Sequence, residues 1–184
     1  FNIINTHDNI KTEVSGTKTW DDNNNQDGKR PEKITVRLYA NEKEIKSQEV
    51  KPDESGNWKY SFTGLNKYEN GKEITYTVKE DKVEGYTSTI DHYNITNKHE
   101  IEKTEVSGTK TWGDNNNQDG KRPEKITVRL YANGVEKQAK EVKSGSDGKW
   151  NYSFTGLDKY SEGKEIKYIV KEDKVDGYET IIDG

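Results

Sequence analysis

Three side chains in the first half of the chain have the right types and spacing for amide chemistry: Lys18, Glu80 and Asn97. Lys18 lies within Val14-Ser15-Gly16-Thr17-Lys18-Thr19-Trp20. Side chains alternate faces along a strand, so Val14, Gly16, Lys18 and Trp20 share one face. An amine in such an apolar row requires a partner, because lysine is almost never fully buried alone. Two other rows also end in polar groups. Ile74, Tyr76, Val78 and Glu80 share a face that closes on a carboxylate, and Tyr93, Ile95 and Asn97 share one that closes on an amide. A packed core does not accept such groups singly. The economical arrangement is that the three meet.

Two outcomes of that meeting are open from the residues alone. In one, Lys18 and Glu80 form a buried salt bridge, with Asn97 as a neutral hydrogen-bond partner. In the other, burial favours the neutral, nucleophilic amine and the protonated acid. The amine attacks the Asn97 side-chain carbonyl, the acid polarises that carbonyl and shuttles protons, and ammonia leaves. The product is a Lys–Asn isopeptide bond, formed once per molecule.

The elements that must position these groups are set by a repeat. Lys18, Trp58 and Glu80 recur as Lys110, Trp150 and Glu172 at a constant offset of 92 residues, without a gap. Roughly two-thirds of the aligned positions are identical, as in tandem duplicated domains. Within one copy the alternation predicts strands at 14–20, 34–40, 43–50, 58–62, 74–80, 86–90 and 93–97. Short strands with turn signals every 8–12 residues predict an all-β fold, an immunoglobulin-like sandwich in each copy. No segment has a helical period.

Composition narrows the function classes. Only 27% of residues are hydrophobic and 35% are charged, but 11 Tyr and 4 Trp supply the core of thin domains with wet outer faces. There is no Cys, so no disulfide, and the three His argue against a His-based metal site; no cofactor is expected. The net charge of −4 comes from interleaved acids and bases, which excludes a nucleic-acid stripe. No apolar run approaches the ~20 residues of a membrane span, and no signal peptide is seen, as expected of a mature or excised segment.

Val-Ser-Gly-Thr-Lys-Thr-Trp, Tyr76-Thr-Val-Lys-Glu80 and Tyr93-Asn-Ile-Thr-Asn97 together resemble the CnaB-type domain family, and the resemblance covers essentially the whole chain. It implies a reverse immunoglobulin-like fold with an intramolecular isopeptide bond. Lys18 would be the nucleophile, Asn97 the electrophile and Glu80 the catalytic acid, with Lys110 and Glu172 matching in the second copy. It also implies a structural stalk repeat of a Gram-positive surface adhesin, on the bacterial cell wall and not an enzyme. Such a repeat would hold a separate ligand-binding region of the same adhesin away from the wall. Its partners would be neighbouring repeats and that region, with collagen as the parent's ligand.

The second copy departs from the pattern, since it reads Ile182-Asp183-Gly184 where the first continues into its Asn strand. Because the family joins its first and last strands, the preferred division is a strand remnant of a preceding unit at 1–11, a first repeat at 12–99 and a second at 100–184 without its last strand. In the other phase, 1–92 and 93–184, Asn5 would serve Lys18 and Asn97 would serve Lys110. A third arrangement has the 1–11 strand of one molecule completing the second domain of another, by the matching parity of Phe1, Ile3 and Asn5.

Other features have plainer readings. Reading the 21–28 loop as a calcium loop from Asn23, with Asn25, Asp27 and Gly28, places Ile34 where a bidentate Glu is required, so a solvated Asx-rich turn is expected. His7 and His99 are repeat-equivalent and are assigned to linkers. Asn94 and Asn151 begin glycosylation sequons by letter only. Trp58, Tyr60 and Phe62, with Trp150, Tyr152 and Phe154, are assigned to cores. The competing function is a module that itself binds a host protein or glycan, with avidity from its copies. The copies differ most at 42–57 against 134–149, which makes that edge a poor binding site. No Ser-His-Asp or paired-carboxylate arrangement supports a hydrolase.

Overall fold

The computed structural model describes residues 1–183, and every regular element among them is a strand. The chain divides into two units, Phe1–Ile101 and Glu102–Gly184.

The first unit contains β1 (Lys11–Asp21), β2 (Ile34–Ala40), β3 (Lys43–Val50), β4 (Trp58–Asn66), β5 (Tyr68–Glu69), β6 (Lys72–Glu73), β7 (Tyr76–Glu80), β8 (Thr87–Asp91) and β9 (Asn94–Lys98). One sheet has the order β4-β1-β9-β8 and the other β3-β2-β7, with β5 and β6 as a small separate hairpin. The first strand, β1, runs antiparallel to β4 but parallel to β9, the last strand of the unit. Val14, Trp58, Tyr60, Phe62 and Ile95 from the first sheet pack on Val36, Leu38, Val50 and Val78 from the second, which makes a sandwich core.

The second unit contains β10 (Lys103–Lys110), β11 (Lys125–Ala132), β12 (Val135–Lys143), β13 (Trp150–Asp158), β14 (Tyr160–Ser161), β15 (Lys164–Glu165) and β16 (Tyr168–Glu172). Its sheets are β10-β13 and β12-β11-β16, with β14 and β15 as the small hairpin. Residues 179–183 form no strand, although their repeat equivalents form β8, and no strand among the described residues stands where β9 stands in the first unit.

The strand at 34–40 falls where alternation places it, because its apolar row faces a core without interruption, and the strand at 43–50 falls beside it as its hairpin partner although only Val50 of that strand is buried. Three differences have local causes. The strand expected at 74–80 begins at Tyr76, since residues 68–73 turn back on themselves as the β5–β6 hairpin. β4 continues past Phe62 to Asn66, where it pairs with the start of β1 across a bulge between Thr12 and Val14. Residues 1–10, expected to carry a strand, carry none and are exposed.

Two turns depend on left-handed backbone. Asn41 and Glu42 connect β2 to β3 with φ of 45° and 70°, and Asn133 and Gly134 do the same from β11 to β12 with 48° and 83°. Positive φ at both central residues is the two-residue hairpin turn that Asn-Gly suits best. Asn23, Asn24 and Asn25 also take positive φ in succession, as do Asn115, Asn116 and Asn117. Asn tolerates this region better than any residue but Gly.

Candidate functional site

Lys18 is a core residue. The β1–β9 register pairs Lys18 with Ile95 and Trp20 with Asn97, so these four side chains line one face of the first sheet. Glu80 closes β7 opposite Val36 in the second sheet. The Lys18 Nζ lies 3.4 Å from Glu80 Oε1, so the pair bridges the two sheets, with side chains 0% and 1% exposed. The amine also donates to the Thr19 carbonyl at 3.3 Å and lies 4.1 Å from the centre of the Trp20 ring.

Opposing effects act on this amine. Desolvation disfavours its charge, whereas the Glu80 carboxylate and the ring face favour it. Desolvation is the largest, and the Lys18 pKa is lowered from 10.5 to about 8.

Asn97 is fully buried, and neither its amide nitrogen nor its amide oxygen has a hydrogen-bond partner. The Glu80 carboxylate oxygens likewise accept no hydrogen bond, so the ion pair is their one polar contact given by the geometry. Buried amides left unbonded are rare in native structures and call for an explanation.

The surroundings fix these groups. Tyr60, buried on β4 beside Gly16 of β1, donates its hydroxyl to the Tyr93 carbonyl just ahead of β9, and burial pushes its phenol up to about 12. That bond passes over Gly16, where an added Cβ would collide with the Tyr93 carbonyl and the Tyr60 hydroxyl. Glycine is therefore the residue that lets β9 lie against β1 at this level. Beyond Asp21, the Asp22 carboxylate accepts from Arg30 Nη2 at 2.6 Å and Nε at 3.0 Å, from the Asn25 backbone N–H at 2.9 Å and from the Tyr86 hydroxyl at 2.9 Å. The Asp22 pKa is lowered by these bonds against an opposing desolvation that is the largest single influence. The loop is thus an Asx-centred turn whose key carboxylate is engaged by protein groups.

His99 corrects its assignment to a linker. It is buried, with Nε2 2.8 Å from Asp27 Oδ2 and Nδ1 2.7 Å from the Gly85 carbonyl, and its ring lies 5.3 Å from that of Tyr86. It fastens the residue after β9 to two loops. The sequence signal was its spacing of two from Asn97, which continues the inward parity of Ile95 and Asn97. The assigned aromatic row Trp58, Tyr60 and Phe62 is in the core.

In the second unit Lys110 Nζ lies 3.0 and 3.2 Å from the two Glu172 oxygens, with side chains 17% and 6% exposed. The Thr180 hydroxyl donates to the same carboxylate at 2.7 Å. Asn5 is exposed, on a segment that belongs to no strand. The structure thus brings Lys18, Glu80 and Asn97 into one core and Lys110 and Glu172 into another, and places Asn5 in neither.

Comparison with known proteins gives a consistent match. The family model of the Cna protein B-type domain matches residues 14–98 and 106–184. The chain is similar to a collagen adhesin of Staphylococcus aureus, with 46% identity over 184 residues, and spans 99% of itself and 15% of that protein. It is similar to the crystal structure of a single B repeat unit (B1) of the collagen-binding surface protein of Staphylococcus aureus, at 46% identity and a TM-score of 0.47, covering 95% of this chain and 92% of that one. The structure of two such units (B1B2) gives 46% identity and a TM-score of 0.48, covering 95% and 46%.

Proposed function

The chain belongs to the Cna protein B-type domain family, and from that premise we propose that it is a structural stalk segment of a Gram-positive surface adhesin, locked by an autocatalytic Lys18–Asn97 isopeptide bond. It is a repeat module and not an enzyme. In this reading its tandem sandwiches hold a separate ligand-binding region away from the cell wall. Collagen would be that region's ligand, by similarity to the collagen adhesin.

The observation that carries the crosslink is the Asn97 amide, fully buried without a hydrogen bond beside a buried Lys–Glu pair. A satisfied polar cluster would have spent that amide on hydrogen bonds. An amide that is to react needs its carbonyl carbon accessible to the amine instead. The neutral Lys18 amine attacks the Asn97 Cγ, forming a C–N bond. Glu80 relays a proton from the attacking nitrogen to the departing one, the original C–NH2 bond breaks, and ammonia leaves. Lys18 and Asn97 lie on the first and last strands of the unit, so the bond bypasses everything from residue 19 to residue 96. Tension entering at β1 and leaving at β9 then travels through a covalent path, and the strand ends cannot fray toward proteases.

Intact mass under denaturing conditions tests this. The expected result is a deficit of about 17 Da, one ammonia, for the Lys18–Asn97 bond. Lys18→Ala and Glu80→Ala should each restore the full mass. A wild-type chain of full mass would overturn the crosslink.

A further inference from the structure

Two asparagines in the chain precede a glycine, Asn70 and Asn133. Such a pair can modify itself. The glycine backbone nitrogen attacks the asparagine side-chain carbonyl, a five-membered imide closes, and the side-chain nitrogen leaves as ammonia. Glycine favours the step because it has no side chain to obstruct the close approach. Both pairs form two-residue hairpin turns. Asn133 and Gly134 join β11 to β12, and Asn70 and Gly71 join β5 to β6 with φ of 50° and 77°. Both asparagines are exposed.

What separates them is the hold on the side chain. Asn133 Oδ1 accepts from the Lys167 backbone N–H at 2.9 Å, and the Asn133 N–H donates to the Lys167 carbonyl at 2.9 Å. The amide must break that bond before it can fold over the Gly134 nitrogen. The same pin holds Asn41 to the Thr75 N–H at 3.1 Å in the first copy. The hairpin behind Asn133 is also long, paired from Lys125↔Lys143 to Ala132↔Val135. Asn70 has neither restraint. Its side chain has no hydrogen-bond partner among the described residues. Its hairpin consists of the pairs Tyr68↔Glu73 and Glu69↔Lys72, all four residues exposed.

We propose that Asn70 is a site of spontaneous self-modification, deamidated through an imide with Gly71, while Asn133 is protected by its bond to Lys167. The Gly71 nitrogen bonds to Asn70 Cγ, the Cγ–NH2 bond breaks, and the Gly71 N–H proton departs with the ammonia. Water, the one co-reactant, then opens the imide. Attack at the side-chain carbonyl gives aspartate, and attack at the Asn70 backbone carbonyl gives isoaspartate, which adds one carbon to the backbone of the turn. Either product places a new negative charge between Glu69 and Glu73. The second copy has Glu162-Gly163 at this turn and no amide to lose, so the modification marks the first copy alone. The imide shares the deficit of about 17 Da expected of the Lys18 crosslink, but hydrolysis converts it to a gain of about 1 Da, whereas the crosslink keeps its deficit.

Peptide mapping by mass tests this on the full chain. The folded chain is incubated in mildly alkaline buffer beside a control in concentrated guanidinium, until the control has reacted at both asparagines. In the folded chain the Asn70 peptide should gain about 1 Da with time, about tenfold faster than the Asn133 peptide, the factor set by a hydrogen bond that must first open. In guanidinium the two rates should converge. Asn70→Glu, which copies the turn of the second unit, should hold the first peptide at constant mass and leave the Asn133 rate unchanged. Equal rates in the folded chain, or a faster Asn133, would overturn the proposal. So would an Asn70 peptide that stays unmodified while the unfolded control reacts. A Lys18→Ala chain should deamidate at Asn70 as the wild type does, so failure of the crosslink and failure of this modification are read separately.

Discussion

At the residue scale, the nucleophilic role proposed for Lys18 rests on its dehydration. Its pKa of about 8 lies below the ordinary 10.5. Between those values the unfolded chain binds a proton that the folded chain does not, so stability rises with pH across that window and the burden of the buried charge is fully present below about 8. In an Asn97→Ala chain, which cannot crosslink, urea unfolding at pH 7 and pH 10 should show this gain relative to an Asn97→Ala/Lys18→Met chain. The shift amounts to ~3 kcal/mol at most, and equal pH dependence in the two chains would overturn the assignment. The same titration should make crosslinking faster as pH rises through about 8, read by the appearance of the ammonia deficit during refolding. Gly16→Ala should slow that appearance without altering Lys18, because the added methyl displaces the Tyr60–Tyr93 bond that holds the start of β9. The types of the three site residues and their inward parity were legible from sequence. The unbonded state of the Asn97 amide was not, because it depends on which neighbours the register supplies.

At the scale of the element, the duplicated sequence offers its own comparisons. Glu42 holds φ of 70° in a turn whose second copy has Gly134. A side chain there carries a left-handed penalty of roughly 1 kcal/mol, so Glu42→Gly should raise the unfolding free energy by about that amount. Thermal melts of the full chain would check this, and a lower midpoint would refute it. The loop after β1 behaves differently. Removing the Asp22 carboxylate with Asp22→Ala strands Arg30 and Tyr86 and should cost about 2–3 kcal/mol by denaturant titration. Strands with uninterrupted apolar alternation, such as β2 and the first half of β4, could be read directly. The β5–β6 hairpin could not, since Tyr68, Glu69, Lys72 and Glu73 are exposed and leave no periodic signal. Nor could the fate of residues 1–10, whose alternation matches β9 while no sheet edge accepts them.

For the whole molecule, the repeat was the strongest sequence signal, and it led to two sandwiches before any strand had been assigned a partner. What repetition could not supply is the pairing of β1 with β9, which sets the first and last strands of the first unit side by side. Single-molecule extension reads the bond proposed between those strands. With its bond formed, the first unit should withhold the length between residues 18 and 97, roughly 270 Å of extended chain, and Asn97→Ala should release it. The parallel run of β1 with β9 has a mechanical consequence of its own. A chain that enters at the start of one and leaves at the end of the other pulls the two strands lengthwise past each other. The ladder between them is therefore loaded in shear, with its bonds sharing the force together, whereas an antiparallel terminal pair would open like a zipper, one bond after the next.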